Sequence, residues 1–284
     1  MSRSVQPEKH NNRAGSIGIR RLRELVTPRD IAILESLAAH RLLATGQVYE
    51  LHFWSHASYT SGIRACTRVL TRLEHSRFVR RLDRTIGGMG GGSTANIWAI
   101  DVAGDRLLRA ALDPEQRTRL RVFEPSRAFL DHTLAVADAH IALLRAARAG
   151  VFEILDVQTE PGNWRSYPNE LGSTVQVKPD LAVVSASEDY EDHWFLEMDR
   201  GTESIPTLIG KCQLYERYRA SGIEQANVGI FPHVIWLLPT EHRAELLRMA
   251  IAKQAGLDPR LFITITTDQL VALVSAGNEL TAPP

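Results

Sequence analysis

Two short stretches decide the fold of this chain: Lys178-Pro179-Asp180-Leu181-Ala182-Val183-Val184 and Trp194-Phe195-Leu196-Glu197-Met198-Asp199. Each contains a short apolar run bounded by polar residues, which is typical of a buried strand. Side chains alternate along a strand, so Glu197 and Asp199 are expected on the same face. If the two runs are neighbouring strands, Asp180 joins them at one end of a sheet. Three converging carboxylates are costly unless a cation neutralises them.

The residues alone leave two interpretations of these carboxylates open. One is a divalent-metal site with oxygen ligands, which suits Mg²⁺ or Mn²⁺. The other is a set of ordinary solvated charges at strand ends. A helical segment follows, and it carries Lys211 and Tyr215 one turn apart.

The composition indicates a globular protein without a membrane span. The chain has 284 residues, enough for two domains, and 44% of them are hydrophobic against 23% charged. No apolar run reaches the length of a transmembrane helix, and the polar amino terminus lacks a signal-peptide core. Cys66 and Cys212 have no metal-ligand spacing, so we predict buried, reduced thiols. These features predict a cytoplasmic protein.

A net charge of zero hides a strong asymmetry between the two halves. Residues 1–130 carry 21 lysines and arginines against 12 acidic residues, whereas residues 131–284 carry 12 against 21. In the first half all but one of the basic residues are arginine, the side chain best suited to forked contacts with phosphate and guanine. This pattern favours a nucleic-acid-binding module beside a module of another kind. An evenly solvated arginine-rich surface is the alternative.

The first half predicts a winged helix-turn-helix domain over residues 27–112. Thr27-Pro28-Arg29-Asp30 is a helix start, with a capping residue followed by proline. We predict helices at about 28–42, 45–53, 59–75 and 104–112, and strands at 78–82 and 95–102 around a glycine-rich turn at 87–93. Three helices followed by a two-stranded ribbon is the order in which the third helix enters the major groove.

The third of these helices carries the predicted DNA contacts. Arg64, Arg68 and Arg72 are spaced four residues apart and form one stripe. Other side chains on this helix or the wing could reach phosphates or bases: Ser61, Thr67, Thr71, Arg80, Arg81 and Arg84. The alternative is a small helical module used for protein contact.

The rest of the chain predicts a second, mixed domain. We expect a disordered basic arm at 1–26, a linker at 113–125, the second domain at 126–275 and a tail at 276–284. In the second domain we predict helices at 126–150, 203–220 and 241–255, with strands at 152–158, 175–184, 194–199, 233–238 and 261–266. This αβββαβ order makes the whole chain a mixed α+β or α/β protein.

This order, with Pro179-Asp180 and Glu197-x-Asp199 on consecutive strands, resembles the PD-(D/E)XK nuclease superfamily and its restriction-endonuclease-like domain. The resemblance implies that Asp138, Asp180 and Glu197 hold Mg²⁺ or Mn²⁺. The catalytic candidates that it implies are Asp180, Glu197, Asp199, Lys211 and Tyr215. Asp199 stands where the superfamily has lysine, and Lys211 could supply that charge from the next helix.

Over about residues 27–270 the chain is similar to the replication-relaxation family of plasmids, integrative elements and phages. The run Glu197-Met198-Asp199-Arg200-Gly201-Thr202-Glu203, followed by Lys211 and Tyr215, carries this resemblance. It implies a DNA-binding protein that acts in replication, DNA relaxation or mobilisation, or their regulation. Double-stranded DNA is the expected partner, with replication or mobilisation proteins as further candidates.

Two other functions stay open at this point. One is a Mg²⁺-dependent DNA nickase, and the other is a scaffold whose second domain binds a protein partner. No heptad or exposed apolar stripe assigns an oligomeric state, so a homodimer also stays open. His132 and His140 lack a partner at metal spacing, and we predict ordinary helix histidines with satisfied hydrogen bonds. No histidine cluster accompanies a tyrosine, so we expect no covalent tyrosine intermediate.

Overall fold

The computed structural model describes residues 18–82, 96–112, 125–169, 171–187 and 190–277 of the chain. Several predictions lie outside these residues: the arm up to residue 17, Arg84 with the glycine-rich turn, the linker from 113 to 124, and the tail from 278 onward. Within the described residues the fold is mixed α+β, as the sequence predicts.

The amino-terminal part builds a small antiparallel sheet surrounded by helices. The sheet has the strand order β1-β3-β2. The elements are α1 (Ile19–Glu24), α2 (Pro28–His40), β1 (Leu42–Ala44), α3 (Thr45–His52), α4 (Tyr59–His75), β2 (Val79–Leu82), β3 (Ile97–Ile100) and α5 (Val102–Arg109). The four helices and two strands that the sequence predicts here are present, whereas it does not predict α1 or the three-residue strand β1.

Local capping chemistry explains where α2 and α4 begin. Thr27 Oγ1 accepts a hydrogen bond from the Asp30 amide, and the Asp30 carboxylate accepts one from the Thr27 amide. Ser58 Oγ accepts a hydrogen bond from the Ser61 amide in the same way at the start of α4. These contacts satisfy amide groups that a helix start otherwise leaves unpaired. Both starts were therefore readable from the sequence.

The predicted disordered arm is wrong over residues 19–24, which form α1. Ile19 and Leu22 are three residues apart and pack into the core of the amino-terminal part. Leu22 is 4% exposed. One apolar turn is enough to dock a short helix when the neighbouring surface is already apolar.

The carboxyl-terminal part contains a five-stranded sheet with helices on both faces. Its strand order is β10-β9-β8-β7-β4; β8, β9 and β10 are parallel, and β7 is antiparallel to both neighbours. The elements are α6 (Arg127–Arg148), β4 (Glu153–Gln158), β5 (Arg165–Pro168), β6 (Thr174–Val177), β7 (Leu181–Ser187), β8 (Tyr190–Met198), α7 (Ile205–Ser221), α8 (Ile223–Val228), β9 (His233–Leu238), α9 (Glu241–Lys253), β10 (Phe262–Thr266) and α10 (Leu270–Ala276).

The predicted strand at 175–184 is wrong as a single element. Thr174–Val177 pairs with β5 in a separate hairpin, whereas Leu181–Ser187 belongs to the large sheet. Pro179 lies between them. Proline has no amide hydrogen to donate to a ladder, so a continuous central strand could not pass through it.

The helix α6 joins the two parts of the molecule. On one side Ala139 and Leu143 pack with α10 against the large sheet, while α7 and α9 cover the opposite face. On the other side Leu130 and Leu134 pack against β1 and β3. Cys66 and Cys212 are buried free thiols, as predicted. Among the described helices none is both long enough and apolar enough to cross a membrane.

Candidate functional site

The register of β7 and β8 places Asp180 opposite Glu197. Leu181 pairs with Leu196, and the Asp180 amide donates to the Leu196 carbonyl oxygen at 2.9 Å. Directly opposed residues on antiparallel strands have neighbouring side chains. Two of the three carboxylates that the sequence predicted at this end of the sheet are therefore brought together.

Asp180 is held from two directions. His132, on α6, places Nε2 at 2.9 Å from Asp180 Oδ1. The Met198 amide donates to Asp180 Oδ2 at 2.6 Å. Both carboxylate oxygens therefore have a partner, one from a helix and one from the backbone.

Glu197 is buried and contacts α7. Tyr215 donates its hydroxyl hydrogen to Glu197 Oε1 at 2.6 Å, and Lys211 Nζ lies 3.6 Å from Glu197 Oε2. Lys211 also lies 3.1 Å from Glu203 Oε2. The structure thus places both Lys211 and Tyr215 beside Glu197.

The electrostatics of this cluster follow from burial and from like charges. Burial, reinforced by the charge of Asp180, raises the pKa of Glu197 to about 8. The hydrogen bond to Asp180 raises the pKa of His132 against the effect of burial. Burial works against the charge of Lys211, but Glu197 and Glu203 beside it raise its pKa. Burial raises the pKa of Tyr215 well above its ordinary value, so its hydroxyl stays a hydrogen-bond donor.

Two further predicted site residues have other partners. Asp138 accepts a hydrogen bond of 2.6 Å from Gln47 of α3. It lies six residues after His132 on α6, about 240° around the helix, so both cannot face Asp180. Asp199 is fully buried and pairs with Arg243, and it accepts a hydrogen bond of 3.0 Å from the Gly201 amide.

This donor set does not fit a divalent cation as it is arranged. Within the described residues no three His, Cys, Asp or Glu side chains form a group able to hold a metal ion. The four oxygens of Asp180 and Glu197 already face His132, the Met198 amide, Tyr215 and Lys211. We therefore derive no chemical step through a metal at this position.

His132 and Arg243 are the contacts that sequence reasoning missed. His132 is hydrogen-bonded, as predicted for a helix histidine, but its partner Asp180 is 48 residues away and no spacing reveals it. Arg243 lies in the first turn of α9 and donates a hydrogen bond to Asp199, which is 44 residues earlier in the chain. Long-range pairs of this kind depend on which helix covers which strand end, and local periodicity does not encode that.

Two small cavities adjoin the carboxylate cluster, and His132 lines both of them. One, of about 320 Å³, is lined by Arg41, Glu160 and Asp180. The other, of about 250 Å³, is lined by Asp199 and Lys211. A larger cavity of about 1300 Å³ lies elsewhere, beside the ends of α6 and α10, and its lining contains none of the predicted site residues.

The predicted DNA-contacting stripe on α4 divides into two kinds of arginine. Arg64 and Arg68 are exposed, and within the described residues neither has an ion-pair partner. Arg72 instead places Nη2 at 2.5 Å from Oδ1 of Asp30, which is 1% exposed, and Nη1 donates to the Leu25 carbonyl oxygen at 3.3 Å. The stripe therefore has two free guanidinium groups and one that is held.

The other residues predicted to contact DNA differ in exposure and in their hydrogen-bond or ion-pair partners. Ser61 is exposed at the start of α4, and Thr67 donates to the Ile63 carbonyl oxygen at 2.8 Å. Arg81 pairs with Glu74 at 3.6 Å. Thr71 and Arg80 are half-buried. Ser61 and Arg81 are thus the exposed members of this set, and the Ser61 hydroxyl also donates to the Ser58 carbonyl oxygen at 2.9 Å.

A family model described as replication-relaxation matches residues 34–234, which include α4 and the Asp180–Glu197 pair. Neither the curated proteins nor the solved structures contain a match.

Proposed function

The chain belongs to the replication-relaxation family, and from that premise we propose that it is a DNA-binding protein acting in replication or relaxation of a plasmid or other mobile element. Its proposed partner is duplex DNA. The proposed binding module is a winged helix-turn-helix built from α2, α3, α4 and the sheet of β1, β2 and β3. In that arrangement α4 enters the major groove and the β2–β3 ribbon flanks the duplex.

The observation that carries this proposal is the free pair Arg64 and Arg68. They lie one turn apart on the exposed face of α4, and no carboxylate among the described residues neutralises them. Many other arginines of the chain are paired, Arg72 and Arg243 among them. Unpaired guanidinium groups in a row are suited to phosphate oxygens or guanine edges.

The double substitution Arg64→Ala/Arg68→Ala is expected to weaken binding to a labelled duplex about tenfold or more. Two lost phosphate contacts would also reduce the slope of log affinity against log salt by about 2. Fluorescence anisotropy at several salt concentrations measures both quantities.

The matched control is Arg217→Ala/Lys253→Ala, which removes two exposed cations from α7 and α9. It should retain the affinity and slope of the unmodified protein. The proposal fails if the unmodified chain does not bind duplex DNA, or if both double variants lose affinity equally.

A second candidate function is DNA cleavage at the carboxylate pair. The observation that favours it is the opposition of Asp180 and Glu197 with Lys211 beside them. Carboxylates and a lysine are the groups that metal-assisted phosphodiester hydrolysis uses. The contacts of the carboxylate oxygens of Asp180 and Glu197 count against this function. A metal ion that bound these oxygens would have to displace the groups that already contact them.

We expect supercoiled plasmid to stay intact when it is incubated with the protein and Mg²⁺ or Mn²⁺. The parallel samples contain chelator, or the variant Asp180→Asn/Glu197→Gln with the metal. Gel electrophoresis separates supercoiled, nicked and linear forms. Nicked product that requires metal and disappears in the variant would establish cleavage and make the second candidate the function of this site.

A further inference from the structure

We propose that α1 is a second phosphate-binding element and that Arg72 positions it beside α4. This inference rests on the proposed DNA-binding function and extends its surface to a helix that the predicted DNA contacts did not include. Arg72 then acts as a positioning residue, because its guanidinium group holds the protein together and does not contact phosphate.

The sequence of α1 is Ile-Arg-Arg-Leu-Arg-Glu, and its packing leaves the arginines outward. Ile19 and Leu22 face the core, whereas Arg20, Arg21 and Arg23 are exposed. At 100° per residue, Arg21 and Arg23 flank the buried Leu22 on its two sides. Arg20 is engaged with Glu24 at 3.6 Å in a highly exposed pair, which contributes little to stability.

Arg72 connects this helix to α4. It lies one turn after Arg68 on the stripe, and it donates to the carbonyl oxygen of Leu25, the residue that ends α1. A cation at a helix carboxyl end is favourable because the carbonyl groups there are unpaired and negative.

The other partner of Arg72 is rigid. Asp30 is almost fully buried and caps α2 through hydrogen bonds with the amide and hydroxyl of Thr27. Burial opposes the charge of Asp30, but the hydrogen bond from Arg72 and those from Thr27 lower its pKa. Arg72 is therefore bound to a buried carboxylate that has further hydrogen bonds, and it links that carboxylate to the end of α1.

Exposed positive side chains are thus present on both helices that Arg72 connects. Arg64 and Arg68 lie on α4, and α1 carries exposed Arg21 and Arg23, while its one acidic residue, Glu24, pairs with Arg20. A duplex carries phosphates along both sides of its grooves, so an extended basic surface contacts more of them than a single helix does.

The experiment compares the salt dependence of duplex binding for Arg21→Ala/Arg23→Ala, Arg72→Lys and the triple variant. Arg21→Ala/Arg23→Ala should lose two phosphate contacts. The slope of log affinity against log salt should then fall by about 2, and binding should weaken severalfold at low salt. Arg72→Lys keeps the charge but cannot span Asp30 and Leu25. It should reduce the slope similarly and speed amide hydrogen exchange in residues 19–25. The triple variant should match Arg21→Ala/Arg23→Ala.

The outcomes separate this inference from the proposed function. If Arg64→Ala/Arg68→Ala weakens binding while Arg21→Ala/Arg23→Ala keeps the original affinity and slope, α1 is not a DNA contact and the proposed function stands. If Arg72→Lys keeps the original slope, or if its effect adds to that of Arg21→Ala/Arg23→Ala, the positioning role is overturned. If the unmodified chain does not bind DNA, the proposed function fails first. Circular dichroism confirms that each variant is folded.

Discussion

Replacing Arg243 with methionine is expected to lower the free energy of unfolding by about 3–5 kcal/mol, since removing one partner of a buried ion pair leaves the other charge uncompensated. The Asp199 side chain is completely buried, and Arg243 engages it through Nε and, at 3.1 Å, through Nη2. Without the guanidinium group the Gly201 amide is the remaining hydrogen-bond donor to this carboxylate among the described residues. Urea-induced unfolding followed by tryptophan fluorescence measures the loss.

Two comparison variants test whether the unpaired Asp199 charge causes the loss of stability in Arg243→Met. Arg248→Met breaks pairs with Glu241 and Glu245 that are about half exposed, so its effect should stay below about 1 kcal/mol. Asp199→Asn/Arg243→Met removes both charges and should recover much of the stability that Arg243→Met loses. If the double variant is no more stable than Arg243→Met, the loss comes from packing and not from an unpaired charge.

The sequence predicts those parts of the fold that depend on residues close together in the chain, such as helix caps and periodic apolar residues. Ser58 caps α4 and its apolar residues recur at helical spacing, so its bounds of Tyr59 and His75 follow from the chain itself. The opposition of Asp180 and Glu197 was also accessible, because two consecutive apolar runs with a short connection form neighbouring strands.

The features that the sequence does not predict depend on how separate helices and strands pack against one another. Asp138 and His132 are both polar residues on α6, and only the rotation of that helix decides that His132 faces Asp180 while Asp138 faces Gln47. The contacts of Arg72 also depend on how separate elements pack. Its spacing with Arg64 and Arg68 predicts a DNA contact, but that spacing does not show that Arg72 binds Asp30 and the Leu25 carbonyl oxygen.

Acidification is expected to destabilise the protein through the buried pair His40 and His140. His40 ends α2 and His140 lies on α6, with Nε2 of the first 2.9 Å from Nδ1 of the second. Burial lowers the pKa of His40 to about 3 and that of His140 to about 4, from an ordinary value near 6.5. Below pH 6.5 these two histidines therefore bind more protons in the unfolded chain than in the folded chain. Their contribution to stability is complete above pH 6.5 and is lost as the pH falls through about 4 towards 3.

Each histidine should contribute up to about 1.4 kcal/mol of lost stability per pH unit in that window. The variant His40→Gln/His140→Gln cannot titrate at these positions, so its free energy of unfolding should fall less steeply between pH 6.5 and 4.5. His242→Gln changes an exposed histidine on α9 and should keep the original slope. Urea unfolding at three pH values gives these slopes, and equal slopes for all three proteins would contradict the assignment. Because this pair lies where α2 meets α6, its protonation would loosen the contact between the amino-terminal part and the helix that carries His132.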